Sequence, residues 1–170
     1  MVGDPAMSVR EYLSTSYDPD REYLDGELRE RNVGERDHSE LQMAVAAWLY
    51  ARRRELSIHV YPEQRVKVGA KRYRVPDVCV VAGHKPEELV FERPPFLCIE
   101  ILSKDDRMQD VQEKIDDYLG CGVRYVWIIN PRNRKAQAYA PDGITEVRDG
   151  VLRTENPSIA LPLGEIFAEL

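Results

Sequence analysis

The predicted architecture depends on the segment Phe96-Leu97-Cys98-Ile99-Glu100-Ile101-Leu102-Ser103. It reads as a strand that is apolar on both faces, and such a strand needs cover from both sides of a sheet. Glu100 is the exception in the middle of it. Burying an unpaired carboxylate is costly or raises its pKa, so Glu100 requires a partner, a water-lined site or a metal ion. We therefore expect the rest of the chain to be arranged around this side chain.

A second acidic residue belongs to the preceding strand-like run, Tyr73–Val81. Asp77 follows Pro76, and a proline there predicts an edge, an irregular entry or a bulge that turns the next side chain into a site. The alternative is that Pro76 and Asp77 only form the turn that enters the strand. For Glu100 the alternative is a buried ion pair with a basic residue. The candidates for that partner are Arg93, Lys104 and Arg124.

Lys114 lies in a predicted helix, Arg107–Leu119, at the border of its apolar face. From position alone, a lysine there extends its ammonium group outward into solvent. With two acids on the strands below, it can instead reach the site and balance phosphate charge. The apolar face itself repeats at helical spacing and consists of Met108, Val111, Ile115, Tyr118 and Leu119.

Length and composition predict one domain with a sizeable core, spanning residues 9–170. The chain has 170 residues, of which 43% are apolar and 32% charged. Residues 1–8 lack the features of a signal peptide, and we expect them to be a disordered tail or a cloning remnant. No apolar run is long enough to cross a membrane.

Charge and cysteine content narrow the function classes. The formal net charge of −6 disfavours a general polyanion binder, whose affinity comes from many phosphate contacts. A cluster of acids that binds a metal ion is compatible with that charge. Cys79, Cys98 and Cys121 form no Cys-x-x-Cys pair. We interpret them as buried apolar side chains in a reducing compartment, which favours the cytoplasm.

Hydrophobic periodicity predicts an α/β architecture, a central mixed sheet flanked by helices with extra antiparallel strands at both ends. The passage from Phe96–Leu102 through the helix to Val123–Ile129 is long enough for a crossover between parallel strands. The other predicted elements are a helix over Val9–Ser16, a hairpin over Arg21–Asn32, a long helix capped by Asp37 or Ser39, strands over Ser57–Val68 and Arg72–Val81, three short strands between Ala136 and Thr154, and a helical turn within Leu163–Leu170.

Several motifs in order resemble the Uma2 family, whose members are bacterial and similar to restriction endonucleases. The motifs are Pro76-Asp77, Glu100–Ser103, Asp110–Tyr118 and Gly122–Ile129, and the segment Glu22–Leu28 and His38 also match the beginning of that family. The resemblance covers residues 10–168. It implies the PD-(D/E)XK nuclease fold, which has a restriction-endonuclease-like core.

The resemblance also implies roles for individual residues. Asp77 is the aspartate of the motif and Glu100 its second acid, and together they would bind one or two Mg²⁺ or Mn²⁺ ions. The sequence departs from the general motif at Leu102, where a lysine is expected. In relatives of this type the lysine comes from the following helix, which implies Lys114. Accessory residues implied in the same way are Glu27, His38 and Gln64.

The function that follows is metal-assisted hydrolysis of a phosphodiester bond in DNA. A homodimer would place two sites on a duplex. Two further functions stay open, a nuclease fold without catalysis that binds DNA or a protein, and an enzyme acting on small phosphate esters, for which the sequence lacks a glycine-rich phosphate loop. The residues that are candidates for holding DNA, with a solvated surface as their alternative, are Lys67, Lys71, Arg72, Arg74, Arg132, Arg134 and Lys135.

Overall fold

A computed structural model describes residues 6–32, 34–168 and 170 of the chain. In chain order the elements are α1 (Val9–Ser14), β1 (Glu22–Leu24), β2 (Glu27–Arg29), α2 (Arg36–Ala51), β3 (Ile58–Pro62), β4 (Val66–Gly69), β5 (Arg72–Arg74), β6 (Val78–Ala82), β7 (Leu97–Ile101), α3 (Met108–Cys121), β8 (Tyr125–Asn130), β9 (Lys135–Ala140), β10 (Gly143–Glu146), β11 (Val151–Arg153), β12 (Ala160–Pro162) and α4 (Leu163–Ile166). None of the helices within these ranges is long and apolar enough to span a membrane.

Six strands form the central sheet, in the order β10-β9-β8-β7-β6-β3. Strands β7 and β8 are parallel, with Glu100 opposite Ile128, and the other neighbouring pairs are antiparallel. Because α3 connects the two parallel strands, the predicted helical crossover is confirmed. A smaller antiparallel sheet has the order β2-β1-β5-β4, and β11 pairs with β12. The mixed sheet with flanking helices confirms the predicted fold class.

The alternation of side chains along β7 sorts them between two cores. Leu97 and Ile99 are fully buried in a cluster that includes the apolar face of α2. Cys98 is buried in a second cluster that includes Val111, Ile115 and Tyr118 of α3. Glu100 shares the face of Cys98, because successive side chains of a strand point to opposite faces. The acidic residue therefore lies beneath α3.

Each of the two long predicted strands is divided between the two sheets. Ser57–Val68 forms β3 and β4, and Arg72–Val81 forms β5 and β6. The first division occurs at Glu63, whose φ of 51° is left-handed. The second occurs at Pro76, which has no N–H to donate to a ladder. Asp77 therefore lies where the chain passes from the small sheet into the central one.

The ends of the helices correct one prediction. Helix α2 begins after Glu35 without a side-chain cap hydrogen bond, so the predicted cap by Asp37 or Ser39 is wrong. Asp37 is instead held by the side chain of Arg36 at 2.9 Å. Helix α3 ends at Gly122, which has a φ of 107° and is one of the two glycines predicted to stop it.

Two further expectations concern the start of the chain and the cysteines. Within the tail predicted at residues 1–8, residues 1–5 lie outside the described part. The backbone of Met7 bonds with Gly26 at 3.1 Å and with the hydroxyl of Tyr23 at 2.7 Å. Cys79 and Cys98 are buried, and like Cys121 they are free thiols.

Truncation of Ile129 should destabilise the fold far more than truncation of Ile144. Ile129 is fully buried and Ile144 is 61% exposed. We expect Ile129→Ala to lower the free energy of unfolding by about 2–5 kcal/mol because it leaves a cavity, and Ile144→Ala to change it by less than about 0.5 kcal/mol. Urea unfolding of both variants measures the difference. Equal losses would contradict the burial of β8.

Candidate functional site

Glu100 is buried and paired within the fold. Its carboxylate accepts a hydrogen bond from the hydroxyl of Tyr118 at 2.6 Å and from the ammonium of Lys114 at 3.1 Å. Both partners are on α3, one turn apart, and therefore on the same face of the helix. Tyr118 was predicted only as an apolar residue of that face. The pair with Lys114 replaces the ion-pair partners considered from the sequence, of which Arg93 bonds to Glu88 and Lys104 to Glu35.

Asp77 is 4% exposed and bonded on both carboxylate oxygens. Its Oδ2 accepts a hydrogen bond from the backbone N–H of Ile101 at 2.7 Å, and Nε2 of His38 lies 3.3 Å away. Its Oδ1 accepts from the guanidinium of Arg31 at 2.8 Å. Since Ile101 directly follows Glu100, the bond to its N–H fixes the two acids beside each other.

Glu22 is a third buried carboxylate, and its negative charge stabilises the ammonium of Lys114. One of its oxygens lies 3.9 Å from the Lys114 ammonium and accepts the backbone N–H of Val75 at 3.1 Å. The other accepts from Arg74 at 2.8 Å. Arg74 also donates to Asp117 at 2.7 Å. This chain of contacts ties the small sheet to α3 and so fixes the helix over the site.

A narrow cleft of about 40 Å³ opens above these side chains. Part of its rim is held by Asn32, which donates to Ser103 at 2.8 Å and to Asp106 at 2.7 Å. The residues that line the cleft are Arg31, Asn32, His38, Asp77, Glu100, Ile101, Ser103, Asp106 and Lys114. The structure therefore brings Asp77, Glu100, Lys114 and His38 together.

The pKa values of the two acids, Glu100 and Asp77, are shifted in opposite directions. Burial raises the pKa of Glu100 from 4.5 to about 7, with repulsion from Asp77 and Glu22 adding to the effect and Lys114 opposing it. Burial would also raise the pKa of Asp77, but His38 and Arg31 outweigh it and hold that pKa below its usual value. The surroundings therefore favour the ionised form of Asp77 and oppose ionisation of Glu100.

The acids favour the charged forms of the basic groups in the cleft. Burial would lower the pKa of Lys114, but attraction to Glu100, Glu22 and Asp77 raises it above its ordinary value. Burial also acts to lower the pKa of His38, but the hydrogen bond to Asp77 and the charges of Asp77 and Glu100 together raise it. Lys114 is thus a hydrogen-bond donor and a positive charge at neutral pH, not a proton acceptor.

The donor set suits a hard divalent cation that completes its shell with water. Asp77 and Glu100 offer carboxylate oxygens, which Mg²⁺ prefers, and Mg²⁺ commonly uses only one or two of them. Across the described residues, no three His, Cys, Asp or Glu side chains are grouped so that they could hold a metal ion by themselves. An ion there would need oxygens from water or from a phosphate.

Two of the residues expected as accessory members lie outside the cleft. Glu27 is exposed on β2. The side-chain amide of Gln64 donates to the backbone oxygens of Leu89 at 2.8 Å and Arg65 at 3.1 Å. In the hairpin the buried acid is Glu22. The sequence pattern of the strand Glu22, Tyr23 and Leu24 does not indicate that Glu22, rather than Glu27, is the buried acid.

Two of the arginines considered for DNA are used inside the fold. Arg74 is 2% exposed and bonded to Glu22 and Asp117, so it has no surface with which to contact a nucleic acid. Arg72 donates to Glu113 at 2.7 Å and to Asp117 at 2.9 Å. From the sequence they belong to a basic segment between two strands. Their ion pairs with acidic residues of α3 cannot be predicted from that segment alone.

The remaining basic candidates stay at the surface. Lys67 lies 4.0 Å from Glu92, and Lys71 is exposed. The other three, Arg132, Arg134 and Lys135, are exposed between β8 and the start of β9. Because β8 runs parallel to β7, that turn leaves the sheet at the same edge as the cleft.

The sequence and the fold each match known proteins. The sequence model of the Uma2 family, described as "Putative restriction endonuclease", matches residues 9–166. A crystal structure from Anabaena variabilis, described as a "putative nuclease belonging to DUF820", is similar with a TM-score of 0.82. The two sequences are 21% identical, and the match covers 95% of this chain and 98% of the other. Comparison with curated proteins gives no match.

Removing the charge of Lys114 should raise the pKa of Glu100 above about 7. Lys114 is the group that lowers this pKa most, so Lys114→Met leaves the burial effect less opposed. A pH titration of the side-chain carboxyl ¹³C shift of Glu100 measures it. Lys104→Met is the control, because Lys104 bonds to Glu35. An unchanged or lower pKa in Lys114→Met would contradict the pairing.

Proposed function

The chain belongs to the Uma2 family, and we propose that it is a metal-dependent endonuclease that hydrolyses phosphodiester bonds in DNA. The observation that carries the proposal is the convergence of two buried carboxylates and one partly buried ammonium on a single cleft. Buried charges are costly to maintain, and a fold that keeps Asp77, Glu100 and Lys114 together gives up stability for their chemistry.

In this proposal Asp77 and Glu100 hold an Mg²⁺ or Mn²⁺ ion. When bound, the ion supplies Lewis-acid activation of a water molecule and of the phosphate. Only the ionised form of Glu100 would bind the ion, and because its pKa is raised, metal binding should weaken as the pH falls. Tyr118 is a positioning residue, since its hydroxyl at 2.6 Å fixes one oxygen of Glu100 and leaves the other towards Lys114.

Lys114 would orient the attacking water and balance the negative charge that develops on the phosphate. Its position suits that role because it approaches Glu100 from α3 and lines the same cleft as Asp77. The ammonium takes the part that the general nuclease motif gives to a lysine two residues after the second acid. Leu102 occupies that position here.

The DNA would lie across the mouth of the cleft, because a volume of about 40 Å³ admits an ion and water but no nucleotide. The exposed turn with Arg132, Arg134 and Lys135 lies at the same edge of the sheet and would contact the phosphate backbone. Lys67 and Lys71 are weaker candidates, since they extend from the small sheet.

A nuclease fold that binds nucleic acid without cutting it is the second candidate. The specific observation in its favour is that both oxygens of Asp77 already have hydrogen-bond donors, from Arg31 and from Ile101. A cation that binds this carboxylate has to share it with those donors or displace one of them, and the charge of the Arg31 guanidinium opposes sharing. The two candidate functions share one fold, so only a measurement of DNA cleavage distinguishes them.

Loss of any one of the three central side chains should abolish DNA cleavage. We expect Asp77→Asn, Glu100→Gln and Lys114→Met each to lower the rate by about 100-fold or more, because each removes charge that the reaction needs. The measurement is nicking of supercoiled plasmid in Mg²⁺ or Mn²⁺ at low salt. Asp116→Asn and Lys85→Met are matched controls, since both side chains are exposed.

Two outcomes would contradict the proposal. Cleavage that persists in Glu100→Gln would come from a contaminant or from another site. A parent protein that binds DNA but never cuts it, with thermal stability equal to that of Asp77→Asn in the presence of Mn²⁺, would favour the binding function.

A further inference from the structure

We propose that Arg31 occupies Asp77 while no metal ion is bound, and that it moves to a phosphate of the nucleic acid when a divalent cation takes its place. The inference rests on the proposed function, and it adds an exchange of partners that nothing in that function requires. Arg31 would thus act both as a competitor of the metal and as a substrate-binding residue.

The position of Arg31 is the first observation. It follows β2 by two residues and extends into the cleft, where its side chain is only 10% exposed. One guanidinium nitrogen lies 2.8 Å from Oδ1 of Asp77, and the other lies 3.4 Å from a carboxylate oxygen of Glu63. The guanidinium therefore bridges a buried acid and a half-exposed one.

The two oxygens of Asp77 differ in how firmly they are held. Oδ2 accepts the backbone N–H of Ile101, which belongs to the central sheet and cannot withdraw without breaking the strand. Oδ1 is held by the side chain of Arg31, which has several rotatable bonds. Two cations close to one oxygen repel each other strongly in a partly buried site. A metal ion that enters the cleft therefore displaces Arg31 before it displaces Ile101.

The chemistry of the displaced group indicates its next partner. A guanidinium presents the same planar fork to a carboxylate and to a phosphate, so it exchanges one for the other without a change of geometry. Glu63 lies at the outer end of this contact, with its side chain 50% exposed. It offers the guanidinium a second partner nearer to solvent, from which Arg31 would reach a phosphate of DNA.

A purely structural ion pair is the competing explanation, and it makes the opposite prediction for metal binding. If Arg31 only holds Asp77 in place, its removal loosens the site and weakens metal binding. If Arg31 competes with the metal, its removal tightens metal binding, because the two cations are negatively coupled at one carboxylate.

The test is calorimetric titration of Mn²⁺ into the parent, Arg31→Met and Arg36→Met without DNA. Arg36 is the control, because its side chain is 80% exposed and bonds only to Asp37 among the described residues. We expect Arg31→Met to bind Mn²⁺ about tenfold more tightly than the parent. We expect Arg36→Met to match the parent.

A second measurement addresses the phosphate contact. DNA binding of the parent and of Arg31→Met is followed at several salt concentrations with Ca²⁺ in place of Mg²⁺, so that both proposed metal ligands are present and cleavage does not interfere. Arg31→Met should bind DNA more weakly than the parent and lower the slope of log affinity against log salt by about one. An unchanged affinity and slope would overturn the phosphate contact.

The outcomes separate this inference from the proposed function. Mn²⁺ affinity in Arg31→Met that equals or falls below the affinity of a metal-binding parent overturns the exchange alone. Absence of Mn²⁺ binding in every variant overturns the exchange and the metal requirement together. Mn²⁺ binding that appears only in Arg31→Met supports the exchange. If that variant does not fold, Arg31→Lys takes its place, with tighter Mn²⁺ binding expected because a single ammonium cannot reproduce the guanidinium fork.

Discussion

The ion pair between Glu100 and Lys114 sets the position of helix α3 over the parallel strands. A carboxylate in the middle of a strand covered on both faces has to be neutralised by something that packs on that strand. Helix α3 does this, and the register that brings Lys114 to 3.1 Å also brings the hydroxyl of Tyr118 to 2.6 Å. The position of the helix over the parallel strands is therefore fixed by polar contacts as well as by apolar packing.

A second layer of charges keeps that helix in place. Arg74 reaches from the small sheet to Glu22 on one side and to Asp117 of α3 on the other. Breaking a buried ion pair of this kind typically costs about 3–5 kcal/mol, whereas replacing it with apolar residues is often neutral or stabilising. Ion pairs are therefore a poor source of net stability in general, and we attribute this network to what it holds in position, which is the ammonium of Lys114 beside two acids.

The sequence alone predicts the strand that contains Glu100, the helix that covers it and the need for a partner to this acid. Glu100 stood out because no turn accounts for it, and the spacing of Val111, Ile115 and Tyr118 predicted the helix that covers it. The partners of the acids could not be predicted in the same way. Arg31 is 46 residues from Asp77 along the chain. A contact across that distance depends on how the small sheet docks, which no local pattern encodes.

The position of a bound metal ion is the decisive measurement for the site formed by Asp77 and Glu100. A crystal structure of the protein with Mn²⁺, located by anomalous scattering, should contain an ion within about 2.5 Å of carboxylate oxygens from both Asp77 and Glu100. The ammonium of Lys114 should remain beside Glu100. Manganese found only elsewhere on the protein, or an ion that contacts neither acid, would contradict the claim that these two strands form one metal site.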